Sequence, residues 1–122
     1  MILIVNVSCL KRQFIEGRAE FISTTDTILN DSSLIYGHIY RLNLEGDYHY
    51  LENEFEIWLE NTDLRTTNDI NGYYSIKTKP GTYTIKCQSA SNTWERLIEE
   101  MKVDLNKNTK TQIDFYIGYT IE

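Results

Sequence analysis

At 122 residues, 41% of them hydrophobic and 25% charged, the chain has the size and composition of one folded domain rather than a disordered segment. A net charge of −6 argues against binding a nucleic-acid backbone, and against attachment to an anionic membrane through charge. Nine tyrosines, many Thr and Ile and a single proline favour strands, because β-branched and aromatic side chains fit a pleated, half-buried surface.

Residues 1–9, Met-Ile-Leu-Ile-Val-Asn-Val-Ser-Cys, admit two readings. As a strand, Leu3, Val5, Val7 and Cys9 share one face. As the remnant of a secretory signal, the segment ends at a lipoprotein-type cysteine, and Cys9 would carry a lipid anchor. The strand is favoured, since no basic region precedes the apolar run. The segment is too short to span a bilayer, so no direct membrane insertion is expected. Cys9 and Cys87 make no disulfide framework and fit no zinc spacing. Two free, buried thiols are the plain expectation, with one bridge open to an exported protein.

Further along, Arg18 to Thr24 alternates weakly as a strand, and the polar stretch from Thr24 to Ser33 predicts a loop. Leu34 to Leu42 is a clear strand. Ile35, Gly37, Ile39 and Arg41 share one face; Tyr36, His38, Tyr40 and Leu42 share the other. Gly37 within it signals a bulge or a close backbone approach. Glu54 to Glu60 alternates with Phe55, Ile57 and Leu59 inward, and Glu54, Glu56, Trp58 and Glu60 outward. Asn71-Gly72 marks a tight turn, since both residues accept positive φ. Tyr73 to Lys77 is a strand with Tyr74 and Ile76 inward. Lys79-Pro80-Gly81 is a second tight turn, and the two turns predict local hairpins on either side of that strand. Thr82 to Gln88 is a strand with Tyr83, Ile85 and Cys87 inward. Trp94, Leu97, Ile98 and Met101 have helical spacing and predict one short helix near 93–101. Lys102 to Leu105, a turn at Asn106-Lys107-Asn108, and Thr111 to Ile117 predict a closing hairpin, with Ile113, Phe115 and Ile117 inward. Strands at short, regular spacing predict an all-β, antiparallel Greek-key β-sandwich.

Residues 65–85, Arg-Thr-Thr-Asn-Asp-Ile-Asn-Gly-Tyr-Tyr-Ser-Ile-Lys-Thr-Lys-Pro-Gly-Thr-Tyr-Thr-Ile, resemble the carboxypeptidase regulatory-like, transthyretin-like (prealbumin-like) family and the related collagen-adhesin B-type repeats. Ile35-Tyr-Gly-His-Ile39 resembles the family's first strand, and Thr111 to Ile117 its closing strand. The resemblance spans about 34–117 of a single domain covering 1–122, with 1–33 an extension or extra strands. It implies a transthyretin-like sandwich in which Tyr83 fills the space between the sheets. It also implies a non-catalytic accessory or interaction module, bacterial and in the cell envelope rather than the cytoplasm, with a protein or glycan partner.

The candidate partner surface is the outward stripe Glu54, Glu56, Trp58 and Glu60, an aromatic set among carboxylates; its plainer reading is a solvated sheet face. Asp69, Asn71 and Gly72 distantly resemble a calcium loop but lack the further oxygen ligands and the terminal Glu; an Asx-closed turn explains them. His38 and His49, with Glu45, Asp47 or Glu52, match no metal-ligand spacing, and neither a metal nor a cofactor is expected. The alternative to an interaction module is a small enzyme whose cleft uses His38 or His49 and nearby carboxylates.

Overall fold

The computed structural model describes residues 13–42, 48–50, 55–90 and 98–121. The strands are β1 (Gln13–Ile15), β2 (Arg18–Asp26), β3 (Ser33–Leu42), β4 (Tyr48–Tyr50), β5 (Phe55–Leu59), β6 (Arg65–Thr67), β7 (Tyr73–Thr78), β8 (Gly81–Ser89), β9 (Glu99–Leu105), β10 (Thr109–Ile117) and β11 (Tyr119–Ile121). A five-stranded sheet has the order β2-β10-β3, with β7 and β4 sharing the far edge of β3. A four-stranded sheet has the order β6-β5-β8-β9, and β1 pairs with β11. Among the described residues there is no helix, and so none long and apolar enough to cross a membrane.

The two larger sheets face each other across one core, a β-sandwich. Period-two alternation delivers the core residues: Ile35 and Ile39 from β3, Phe55, Ile57 and Leu59 from β5, Tyr74 and Ile76 from β7, Ile85 and Cys87 from β8, Ile113, Phe115 and Ile117 from β10. All are buried; those of β5, β7, β8 and β10 lie on the faces expected inward, and on β3 the buried face is the one shared by Ile35 and Ile39. Val103 and Leu105 of β9 complete the cluster. Strand β2, outside the family resemblance, forms an edge of the five-stranded sheet, and its Ala19 packs against the core.

Four expectations need correction. First, the sandwich is not wholly antiparallel: β10 runs parallel to β3, from Thr109 opposite Ser33 to Ile117 opposite Arg41. Second, neither turn around β7 closes a hairpin. Strands β6 and β8 lie in the four-stranded sheet and β7 in the five-stranded one, so both turns carry the chain from sheet to sheet. The turn at 106–108 does the same, because β9 pairs with β8 whereas β10 pairs with β2 and β3. Third, the helix near 93–101 is contradicted at its C-terminal end. Residues 99–101 belong to β9, which pairs with β8 from Glu99 opposite Cys87 to Leu105 opposite Gly81. The open edge of β8 supplies a full ladder of backbone partners, and this outweighs local helical spacing. Trp94 and Leu97 lie outside the described residues. Fourth, the aromatic between the sheets is Tyr74, 1% exposed, whereas Tyr83 is partly buried and packs against the core from its rim.

Gly37 sits where the β3–β10 ladder breaks. Register pairs connect Gln112 to Tyr36 and Phe115 to Ile39, with none between. A Cβ on Gly37 would lie 2.0 Å from the Ile113 carbonyl oxygen, so only glycine fits this approach. Side chains replace the missing ladder bonds. The Tyr74 hydroxyl donates to the Ile113 carbonyl at 2.6 Å. The His38 N–H donates to Asp114 Oδ1 at 3.0 Å. On the other side of β10 the pairing with β2 also shifts register, between Gln112 and Ile113.

A second set of polar bonds joins the 27–32 loop to the 106–108 turn. Asn108, at φ 57°, accepts the N–H groups of Leu29 and Asp31 on its side-chain oxygen, both at 3.0 Å. Its own N–H donates to the Ser32 carbonyl at 2.6 Å. The Ser33 hydroxyl donates to the Asn106 carbonyl.

Candidate functional site

Cross-strand register assembles the outer face of the four-stranded sheet. Trp58 of β5 stands opposite Arg65 of β6 and Lys86 of β8, and Lys86 stands opposite Glu100 of β9. One row thus crosses all four strands as Arg65, Trp58, Lys86 and Glu100. Same-face neighbours at this spacing interact directly. Arg65 Nη1 lies 2.8 Å from Glu56 Oε2, and its guanidinium carbon lies 5.8 Å from the centre of the Trp58 ring. Lys86 Nζ lies 2.8 Å from Glu60 Oε2 and 3.5 Å from Glu100 Oε1. The hydrogen bond to Glu60 raises the Lys86 pKa, with the charges of Glu60 and Glu100 adding to it.

Of the predicted stripe, Glu56, Trp58 and Glu60 therefore lie together, tied by two cations that sequence reasoning did not assign to it. Glu54 lies outside the described residues. Trp58 is half-buried, flanked by the Arg65 guanidinium. The face carries a Trp–Arg pair held in place by carboxylates, side-chain types that dominate binding energy at interfaces. Alternation along β5 was the signal for Trp58. Arg65 and Lys86 required the strand order.

The outer face of the five-stranded sheet is aromatic. Tyr40 and Tyr116 stack with centroids 5.0 Å apart and planes 15° apart. His38 meets Tyr73 edge-on at 5.6 Å and Tyr40 at 6.2 Å, and Tyr36 lies 6.5 Å from Tyr73. The Arg18 guanidinium covers Tyr116 at 4.1 Å. Burial, followed by the negative charges of Glu20 and Asp114, raises the Tyr116 pKa. Asp114 is 5% exposed; besides the His38 N–H, its Oδ1 lies 3.2 Å from Gln112 Nε2.

The His38 ring packs among tyrosines, while its backbone N–H donates to Asp114. His49 stands opposite Arg41 in the register. Glu45, Asp47 and Glu52 lie outside the described residues. Asp69 closes an Asx turn: its Oδ1 accepts the N–H groups of Asn71 and Tyr73, each at 2.9 Å, while Gly72 adopts φ 80°. Those bonds explain the Asp-x-Asn-Gly pattern as backbone chemistry. Among the described residues no group of three or more His, Cys, Asp or Glu is placed to hold a metal ion. Cys87 is a free thiol within the core, and burial pushes its pKa up, so the reactive thiolate is disfavoured. Cys9 lies outside the described residues. Every buried side-chain nitrogen and oxygen among the described residues has a hydrogen-bond partner.

No protein-family model matches the chain, and no curated protein matches it.

Proposed function

We propose that the chain is a Greek-key sandwich of the transthyretin-like, carboxypeptidase regulatory-like kind, working as a non-catalytic interaction module of the cell envelope. It holds a protein or glycan partner against the outer face of the four-stranded sheet. The fold reading draws support from the residue 65–85 pattern together with a chain that changes sheet before and after β7 and again before β10. One observation carries the functional reading: Trp58 lies beside the Arg65 guanidinium in a row of side chains crossing four paired strands, with Glu56 and Glu60 fixing the cations. Such a face is preorganised, so little side-chain freedom is lost on binding.

The test compares wild type with Trp58→Ala and Arg65→Ala on an immobilised glycan array and against solubilised envelope proteins. A glycan or protein retained by wild type and lost by both folded variants supports the reading. Retention unchanged in both variants overturns it. Intact mass and cell fractionation of the native protein test the compartment: a chain beginning at an acylated Cys9 supports the envelope, and a soluble cytoplasmic chain overturns it.

A further inference from the structure

A cleft of about 460 Å³ is lined by Ser32, Thr62, Leu64, Lys77, Thr78, Lys79 and Tyr83. Its volume lies in the range of small-molecule sites. Three connections meet there: the 60–64 loop between β5 and β6, the turn from β7 to β8, and the entry to β3. The apolar part of the wall comes from Leu64 and the Tyr83 ring. That ring is held in position, because the Tyr83 hydroxyl donates to the Lys79 carbonyl at 2.8 Å and accepts from the Thr78 hydroxyl at 3.1 Å. Leu64, 37% exposed, leaves its side chain open to a ligand.

Charge selects the ligand class. The protein carries a net charge of −6, yet among the described residues this cleft is lined by two lysines and by no carboxylate. The cations of the Trp58 row are neutralised, Arg65 by Glu56 and Lys86 by Glu60 and Glu100. Among the described residues Lys77 and Lys79 enter no ion pair, and Asp63 in the nearby loop lies beyond ion-pairing distance of both. The hydroxyls of Thr62 and Thr78 already donate within the fold, to the Leu59 carbonyl and to Tyr83, so they select little. An apolar wall in a cleft lined by two lysines and, among the described residues, by no carboxylate suits a molecule with an apolar body and one anionic head. We infer that this cleft binds a small organic carboxylate, its apolar part against Tyr83 and Leu64 and its carboxylate toward Lys77 and Lys79.

The experiment titrates the labelled protein with benzoate, indole-3-acetate and octanoate, and with the amide of each, following backbone amide resonances. At least one acid is expected to shift Ser32, residues 62–64 and residues 77–83, and to bind about twofold to fivefold more tightly than its amide, within the range for an exposed ion pair. The Lys77→Gln, Lys79→Gln double variant is expected to lose that margin for the acid and to leave the amide unchanged. Lys102→Gln, which removes one positive charge from β9, is expected to leave both unchanged. Equal affinity for acid and amide, shifts that map elsewhere, a loss matched by Lys102→Gln, or no binding of any acid at about 10 mM would each overturn the assignment.

Discussion

The two sheets share one core but are held together differently. In the four-stranded sheet the β5–β8–β9 ladder pairs residue with residue, and the outer side chains add ion pairs to a backbone already satisfied. In the five-stranded sheet the ladder breaks between β3 and β10, and buried side chains take the place of backbone partners. Side chains that supplement a ladder are dispensable. Side chains that stand in for one are not, because their loss leaves a buried polar group without a partner.

That contrast orders the mutational effects. The largest belongs to Tyr74, which fills the core and satisfies the Ile113 carbonyl. Tyr74→Ala should cost about 3–5 kcal/mol in urea unfolding, and Tyr74→Phe about 1–3 kcal/mol from the orphaned carbonyl alone. Tyr83→Ala should cost clearly less than Tyr74→Ala, since Tyr83 closes the rim; equal costs would place Tyr83 in the core after all. Gly37→Ala comes next. Its added methyl meets backbone, not a movable side-chain tip, so about 1–3 kcal/mol is expected, toward the upper end. A neutral Gly37→Ala would show that the break can close without it.

Smaller effects belong to the other sheet. Arg65→Ala should cost no more than about 1 kcal/mol, and the difference from wild type should shrink in high salt, as for exposed ion pairs. A larger, salt-independent loss would mean that Arg65 matters mainly through its stem and its contact with Trp58. The smallest effect is the pH dependence at Glu99. Burial raises its pKa above the ordinary 4.5, the charge of Glu16 adds to this, and a hydrogen bond from the Gly118 N–H partly opposes it. The folded carboxyl therefore keeps its proton to higher pH than the unfolded one. Its contribution is fully present below pH 4.5 and is lost as pH rises through the raised folded value. Glu99→Gln, whose amide oxygen can still accept the Gly118 N–H, should raise the thermal midpoint at pH 7 and change it less at pH 4. The reverse order would contradict a raised pKa.

Much of the fold was legible in the sequence, because burying one face of a strand forces alternation. Phe55, Ile57 and Leu59, Tyr74 and Ile76, Ile85 and Cys87, and Ile113, Phe115 and Ile117 were placed inward by that rule and all lie in the core; on β3 the rule put Ile35 and Ile39 on one face, and the structure shows that face to be the buried one. Pairing was less legible. An Asx turn at 69–72 has the same residues whether the next strand returns beside the last one or crosses to the facing sheet. The choice depends on β7 finding β3, some forty residues earlier in the chain. The parallel β3–β10 pairing has no local signal either, since Ser33 and Thr109 are brought together only by the completed sheet. The segment near 93–101 misled because Ile98 and Met101 fit a helical period, while the free edge of β8 decided the matter for residues 99–101. The candidate surface divides in the same way. Alternation placed Glu56 and Trp58 outward. Their cationic partners lie on neighbouring strands and became visible only with the register.

The position of β10 also bears on how the protein is made. It lies between β2 and β3, so both strands wait for residues 109–117 before either has that neighbour. On the ribosome, a nascent chain lacking this stretch presents two unfilled strand edges, open to pairing with other extended chains. Closure of the five-stranded sheet is therefore a late event in biosynthesis, set by the arrival of one strand, and contacts of such long sequence separation form slowly.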